Sequence, residues 1–553
     1  MSDASFHDWS ETAHRIRATT KRLEKNAILR AYLAALEESS LAIAARFFSG
    51  IVFPRHDART TQVGGSIIFG ALAAVTGASD ELLSERYTQY GDAGDVAGDV
   101  LAARPPSTLA LSDAESFFAS LAAAAGTNAR RALVTEMLGR IGGLEAQYLV
   151  KLLGGELRIG LKEAQVEEAL ASAFGAPLGE VRRANLLRGD IGEVAQFSSR
   201  GTLDTARLAM FHPIGFMLAQ PLATPDDIVA AMPSPFAVED KYDGIRAQAH
   251  IGAGEAGALR VALFSRTLDD ITRGYPDVVA ALESMPAGLV LDGELIAYDP
   301  AIPERALPFK ALQTRLGRKA PGAALMAAVP ATFVAYDVIA ADGALVVDEW
   351  YRERRARLAA LPWPAEATAG ARLAPMRTVS AAGEVEEAFT AARARGNEGL
   401  IAKDPTSSYA PGRRGKTWVK LKRALATLDV VVTGVERGHG RRRGVLSDYT
   451  FAVRASESDP TLLNVGKAYN GLTDVEIAAL TERFHAITVE KYGRFHKVRP
   501  EVVLEVTFDI VQPSARHKAG FALRFPRIVR VRDDKPPSEI DTLERVRQLA
   551  NAQ

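Results

Sequence analysis

The chain has no cysteine among its 553 residues. That excludes disulfides, thiolate zinc sites and cysteine nucleophiles, and it suits a reducing cytoplasm. It also lacks an excess of charge of either sign, with 67 Lys and Arg against 67 Asp and Glu. The molecule as a whole is no polycation, so any grip on nucleic acid must come from local clusters. No apolar run reaches membrane-spanning length. The start, Met-Ser-Asp-Ala-Ser-Phe-His, lacks the basic stretch and apolar core of a signal peptide. What is present is ordinary for a globular protein: 47% hydrophobic and 24% charged residues. At roughly 150 residues per domain, this length holds about three or four domains.

Residues 1–205 read as helical. Val166, Leu170, Ala173 and Phe174 recur at helical spacing and stop at Gly175 and Pro177. A second helix runs from Leu144 through Tyr148 and Leu152 to Gly154-Gly155. The string Gly91-Asp92-Ala93-Gly94-Asp95-Val96-Ala97 recurs as Gly189-Asp190-Ile191-Gly192-Glu193-Val194-Ala195. Each copy places an acidic residue to cap a helix start and hints at two related helical lobes. From 206 the texture changes. Strands are expected over 288–298, 332–339 and 399–403, with a helix over 384–395, which makes residues 206–425 an α+β domain. Residues 426–553 read as strands at 428–435, 448–454 and 501–511 with one helix near 474–485. That pattern suits a small β-barrel of the oligonucleotide-binding (OB) type.

The most informative string is Phe-Ala-Val-Glu-Asp-Lys-Tyr-Asp-Gly-Ile-Arg, residues 236–246. Its apolar start reads as a strand and Asp243-Gly244 as a turn, which places Lys241 near a strand end. The plainest alternative is a surface lysine beside a hairpin turn. Five further strings follow in order: Phe264-Ser265-Arg266-Thr267, Leu291-Asp292-Gly293-Glu294, Val334-Ala335-Tyr336-Asp337, Asn397-Glu398-Gly399-Leu400-Ile401-Ala402-Lys403 and Trp418-Val419-Lys420-Leu421-Lys422. Phosphoryl transfer calls for these residue types. An amine nucleophile must be deprotonated. Charge on a phosphate in flight needs cations, here Arg266, Lys420, Lys422 and a metal. Magnesium takes carboxylate oxygens, and Glu294 and Glu398 are the candidates. A purine needs a flat partner, which Tyr336 offers.

Taken together, the ordered strings resemble the ATP-dependent DNA ligases that carry a helical N-terminal DNA-binding domain. The resemblance covers nearly the whole chain. It extends to Pro213-Ile214-Gly215-Phe216-Met217-Leu218-Ala219 and to Arg524-Phe525-Pro526-Arg527-Ile528-Val529-Arg530-Val531-Arg532-Asp533-Asp534-Lys535. It implies an all-α DNA-binding domain, an α+β nucleotidyltransferase (adenylation) domain and an OB-fold barrel. It implies that Lys241 becomes adenylated, that Glu239 contacts the adenine and that Tyr336 stacks on it. Arg246, Arg266 and Glu294 then hold ribose, phosphate or metal, and Glu398 serves the metal. Arg414 and Lys420 fall at later nucleotide contacts, and Arg532 and Lys535 orient the leaving pyrophosphate. The implied cofactors are ATP and Mg2+, with Mn2+ as an alternative ion. The implied partner is nicked double-stranded DNA, bound by a monomer in the cytoplasm or, in a bacterium, at the nucleoid.

Local charge agrees with a nucleic-acid partner. Between Arg413 and Arg443 ten Lys or Arg face two acids, Asp429 and Glu436. The run Arg437-Gly438-His439-Gly440-Arg441-Arg442-Arg443-Gly444 reads as a loop suited to phosphates, and His496-Lys497 and Arg516-His517-Lys518 add to it. An RNA ligase or a capping guanylyltransferase shares the chemistry, but the long helical region argues against both. NAD-dependent ligases carry a cysteine zinc module that this chain lacks. A non-catalytic DNA-binding scaffold would not need Lys241, Glu294, Glu398 and Lys420 together.

Overall fold

The structure, a computed structural model, describes residues 4–57, 59–254, 257–318, 320–364, 370–421, 427–438 and 442–551. Lys422 and the loop residues His439, Gly440 and Arg441 lie outside them. Contacts group residues 1–76 and 97–422 into one compact unit, and 77–96 with 423–553 into another.

Twelve α-helices lie between Phe6 and Arg200 among the described residues. The expected helices are there, as Gly143–Leu153 and Glu163–Phe174. Gly175, at φ +66, ends the second in the left-handed conformation that glycine adopts without strain. Both copies of the Gly-Asp string cap helices. Asp190 accepts the Gly192 N–H at 3.0 Å and Asp92 accepts the Asp95 N–H at 3.0 Å. Asp190 also holds Arg46 in a bidentate pair at 2.9 and 2.7 Å. The fully buried Trp9 centres an aromatic core with Phe6, Phe47, Phe48 and Tyr148.

The α+β part is built on two sheets. Its strands are β1 (Leu218–Leu222), β2 (Phe236–Lys241), β3 (Ile245–Ala253), β4 (Leu259–Ser265), β5 (Leu289–Asp299), β6 (Ile302–Ala306), β7 (Ala331–Ala341), β8 (Ala344–Leu345), β9 (Ala371–Leu373), β10 (Met376–Val379), β11 (Gly399–Lys403) and β12 (Arg414–Leu421). One sheet runs β1-β12-β11-β2-β10. The other runs β4-β3-β5-β7-β8, with β6 on β5 and β9 on β7. The expected strands and the helix at Ala382–Ala394 are where the sequence puts them. The Asp243-Gly244 turn is no hairpin, however. It carries the chain from β2 in one sheet to β3 in the other. A Cβ on Gly244 would stand 2.3 Å from the Leu295 carbonyl oxygen, so the crossing leaves room for glycine alone.

The C-terminal region folds around one apolar core that includes Val432, Phe451, Phe484 and Leu504. Its strands are β13 (Thr427–Arg437), β14 (Leu446–Arg454), β15 (Leu462–Ala468), β16 (Thr488–Tyr492), β17 (Phe495–Val498), β18 (Val503–Thr507), β19 (Ile510–Pro513), β20 (Phe521–Arg524) and β21 (Arg527–Val531). The N-terminal half of β13 pairs with β18 and its C-terminal half with β17, while β14 takes its other edge. One strand serving two partners in succession is how a small sheet curls toward a barrel. The helix Asp474–Ala486 matches expectation. The strand expected over 501–511 is two, broken at Phe508-Asp509. Alternation alone does not mark that break.

A buried histidine secures the connector between the helices and the sheets. His250 Nδ1 accepts the Phe211 N–H at 3.2 Å, and its Nε2 lies 3.2 Å from Gln248 Oε1. Gln248 Oε1 in turn accepts the Ile214 N–H at 2.9 Å. This network fits only the neutral imidazole protonated on Nε2. Burial, aided by His212 and Arg260, pulls the His250 pKa down to about 3. The unfolded chain gains this proton below about pH 6.5, and the folded chain does not until about pH 3. Stability is therefore full above pH 6.5 and falls as pH drops, by up to about 1.4 kcal/mol per unit. Urea unfolding of the parent and of His250→Gln, at pH 7.5 and pH 5, checks this. The parent is expected to lose stability more steeply, and equal acid slopes would exclude His250 as the cause.

Candidate active site

The five-stranded sheet sorts its residues by alternation. Val238, Leu400, Ala402, Val419 and Leu421 point into an apolar core. The opposite face carries Glu239, Lys241, Ile401, Lys403, Trp418 and Lys420, and all six line a cleft of ≈ 420 Å³. Register aligns them, with Glu239 beside Ile401 and Ile401 beside Lys420. Opposite Lys241 sits Gly399, whose added Cβ would stand 2.5 Å from the Leu421 carbonyl oxygen.

The seven-stranded sheet supplies more of the cleft. Arg246 and Glu294 are direct partners across β3 and β5. Tyr336 falls at a bulge in β7, where Ala335 and Asp337 face the adjacent residues Gly293 and Asp292. A bulge re-aims a side chain, and Tyr336 lines the cleft. Arg266, just past the end of β4, and Arg414, at the start of β12, line it as well. The structure thus brings Glu239, Lys241, Arg246, Arg266, Glu294, Tyr336, Arg414 and Lys420 into one cleft.

Electrostatics divide them into fixed and responsive groups. The Lys241 ammonium pairs with the Glu398 carboxylate, and the Glu398 N–H donates to the Lys241 carbonyl at 2.7 Å. Arg246 is held bidentate by the fully buried Asp292 at 3.1 and 2.7 Å. Burial opposes the Arg246 charge, but Asp292, Tyr336 and Tyr409 together outweigh it and the guanidinium pKa rises well above its usual value. Burial pushes the Glu294 carboxyl up to about 8, against the pull of Lys241 and Arg246. A carboxylate so reluctant to ionise, with Glu398 adding to the negative charge, is one that a divalent cation would relieve. Glu294 lines the cleft and Glu398 pairs with Lys241, and both offer hard oxygens of the kind that Mg2+ takes.

Arg532 and Lys535 belong to the other compact unit. There Arg532 contacts both oxygens of Asp429 at 2.9 and 3.0 Å, and Lys535 Nζ lies 2.7 Å from Asp429 Oδ2. Asp534 takes the remaining face of the Arg532 guanidinium at 2.9 and 2.8 Å. Lys422 lies outside the described residues.

Several site residues escaped the sequence reading. Asp292 and Tyr409 fix Arg246, with the Tyr409 hydroxyl donating to Asp292 at 2.8 Å. Asp240 accepts from Arg395 at 2.9 and 2.8 Å and from Asn397 at 2.8 Å, which ties β2 to the turn that carries Glu398. Lys403 and Tyr351 hold Glu239. Of these, Asp240, Asp292, Asn397 and Lys403 lie within the strings quoted above, whereas Tyr351, Arg395 and Tyr409 lie outside them.

Comparison with known proteins agrees with this arrangement. The family model "DNA ligase N terminus" matches residues 5–171, "ATP dependent DNA ligase domain" matches 216–422, and "ATP dependent DNA ligase C terminal region" matches 442–535. A probable DNA ligase of Koribacter versatilis is 47% identical over 98% of this chain and 96% of its own length. A DNA ligase of Methanothrix thermoacetophila is 35% identical over 99% and 98%. The solved structure named Pmar-Lig_Pre shares the fold at a TM-score of 0.62 and 16% identity, over 95% of this chain and 99% of its own. Among the described residues, no helix is long and apolar enough to cross a membrane. By sequence over its full length, by fold and by the content of its cleft, the chain belongs to the ATP-dependent DNA ligases and is an enzyme of that family.

Proposed function

We propose that the chain seals nicks in duplex DNA by three nucleotidyl transfers that begin at Lys241. The Lys241 amine attacks the α-phosphorus of ATP, forms a phosphoramidate and expels pyrophosphate. A 5′-phosphate at the nick then takes the adenylate from the lysine. Finally the 3′-hydroxyl attacks that phosphate, joins the strand and releases AMP. The observation that carries this reading is the single cleft in which Lys241 stands with Glu239, Arg246, Arg266, Glu294, Tyr336, Arg414 and Lys420.

The residues divide the work. Tyr336 stacks on the adenine and Glu239 accepts its amino group. Arg246, Arg266, Arg414 and Lys420 bind ribose and phosphate, and their charge offsets that of the transition state. Lys422 extends the same basic strand in sequence. Glu294 and Glu398 would hold Mg2+, or Mn2+ in its place, which supplies positive charge to the phosphates. Glu398 also pairs with the Lys241 ammonium. A cation bound there would compete with Lys241 for that carboxylate. Arg532 and Lys535 steady the leaving pyrophosphate. Residues 1–205 grip the duplex, 206–425 carry the adenylation chemistry and 426–553 form the barrel, in a chain that acts as a monomer.

Sealing of a labelled nick with ATP, NAD+ and GTP side by side tests the reading. Ligation is expected with ATP alone, together with a gain of one AMP in the intact mass before DNA is added. Sealing with NAD+ and not ATP would overturn it.

A further inference from the structure

Glu239 is almost wholly buried, at 3% exposure, yet it lines the cleft. Its two oxygens are held from different elements. The Tyr351 hydroxyl, on the helix Tyr351–Ala359, donates to Oε1 at 2.6 Å. The Lys403 ammonium, on β11, lies 2.7 Å from Oε2. Arg355 stands farther off, with Nη1 3.5 Å from Oε1. Lys403 is itself 1% exposed and also donates to the Tyr336 carbonyl at 2.9 Å. Its Nζ lies 4.9 Å from the Tyr336 ring centroid, 4.2 Å from that of Trp418 and 4.8 Å from that of Tyr351. A buried charge is kept only with partners, so Glu239, Lys403 and Tyr351 form one interdependent cluster.

We propose that Lys403 and Tyr351 are positioning residues that keep Glu239 fixed as an acceptor, and that this makes the cleft select a 6-amino purine over a 6-oxo purine. A carboxylate only accepts hydrogen bonds. Adenine offers it an amino donor. A 6-oxo base offers a second acceptor, which the carboxylate repels. If Glu239 turned away, that rejection would weaken. The cluster opposes this: Lys403 holds Oε2 and Tyr351 holds Oε1. Lys403 also ties the reader to the stacking residue through the Tyr336 carbonyl. The inference rests on the proposed placement of the base between Glu239 and Tyr336.

Single-turnover labelling of the enzyme with ATP and with inosine triphosphate (ITP) tests it, because the two differ in the group at purine position 6 and in the N1 proton that accompanies the oxo form. Lys403→Met is expected to lower the ATP:ITP preference about ten- to hundredfold, the usual effect of losing a hydrogen bond to a charged group. Tyr351→Phe is expected to lower it less. Lys403→Arg is expected to restore most of it. Should Lys403→Met not fold, Tyr351→Phe carries the test, since it removes one oxygen atom. If the variants lose rate equally with both nucleotides, Lys403 and Tyr351 support the fold alone and the inference is overturned. Glu239→Gln separates the two layers. An unchanged ratio there overturns the base-reading role of Glu239 itself. A changed ratio there, with Lys403→Met and Tyr351→Phe both at the parental ratio, overturns only the inference.

Discussion

With Lys241→Ala, ATP is expected to leave no adenylate on the protein, and sealing of an ordinary nick is expected to fall by at least about 10⁴-fold, as when a catalytic nucleophile is removed. Lys403 and Lys420 share the cleft face of the five-stranded sheet with Lys241, but Lys403 is buried in its pairing with Glu239 and Lys420 stands two strands away on β12. Lys241 stands at the strand end, about one-fifth exposed, paired with Glu398. A nick supplied already adenylated bypasses this nucleophile, so the variant should still join it at a measurable rate. Intact mass and gel ligation on the two substrates settle the matter. ATP labelling of the variant at parental level would mean that another residue carries the adenylate.

Replacing Arg532 and Lys535 together with alanine is expected to slow lysine adenylation by about 10²- to 10³-fold, the scale of losing donors aimed at developing charge. Sealing of a pre-adenylated nick should stay near the parental rate, because no pyrophosphate departs in that step. In this structure both cations are engaged by Asp429, and Arg532 by Asp534 as well. A phosphate must compete with those carboxylates for them. The structure therefore gives the double variant a partner experiment. Asp429→Asn should leave Arg532 and Lys535 more available to phosphate and lower the KM for ATP. Single-turnover rates for the two steps, measured on each variant, separate the outcomes. Equal losses in both steps would assign Arg532 and Lys535 to the barrel's own stability or to DNA.

The sequence carried the residue types and their order, and those sufficed for the cleft. In the structure, alternation in Trp418-Val419-Lys420 and in Ile401-Ala402-Lys403 sets Trp418, Lys420, Ile401 and Lys403 on the cleft face. What the sequence did not carry was pairing between distant segments. The bulge that turns Tyr336 into the cleft depends on the register of β7 against β5. Asp-Gly is commonest in hairpins, and nothing local says that here it links two sheets. The Asp292–Arg246–Tyr409 and Glu239–Tyr351–Lys403 clusters join residues more than a hundred positions apart. Such partners come into view only with the fold. In the barrel, the break at Phe508-Asp509 splits one expected strand because β18 and β19 pair with different neighbours.

The crossing at Tyr242-Asp243-Gly244 leaves the nucleophile on a seam. Among the described residues, no strand of the five-stranded sheet pairs with a strand of the seven-stranded one. A few backbone bonds link their connecting segments, such as the Tyr409 N–H to the Val347 carbonyl at 2.8 Å and the Ala306 N–H to the Arg395 carbonyl at 3.0 Å. The other links are made by side chains, such as Lys403 to the Tyr336 carbonyl and Tyr409 to Asp292. Part of the coupling between the two walls therefore rests on contacts that a single substitution can remove while the ladders within each wall stay paired, and such a substitution is expected to change how readily the cleft opens to release AMP.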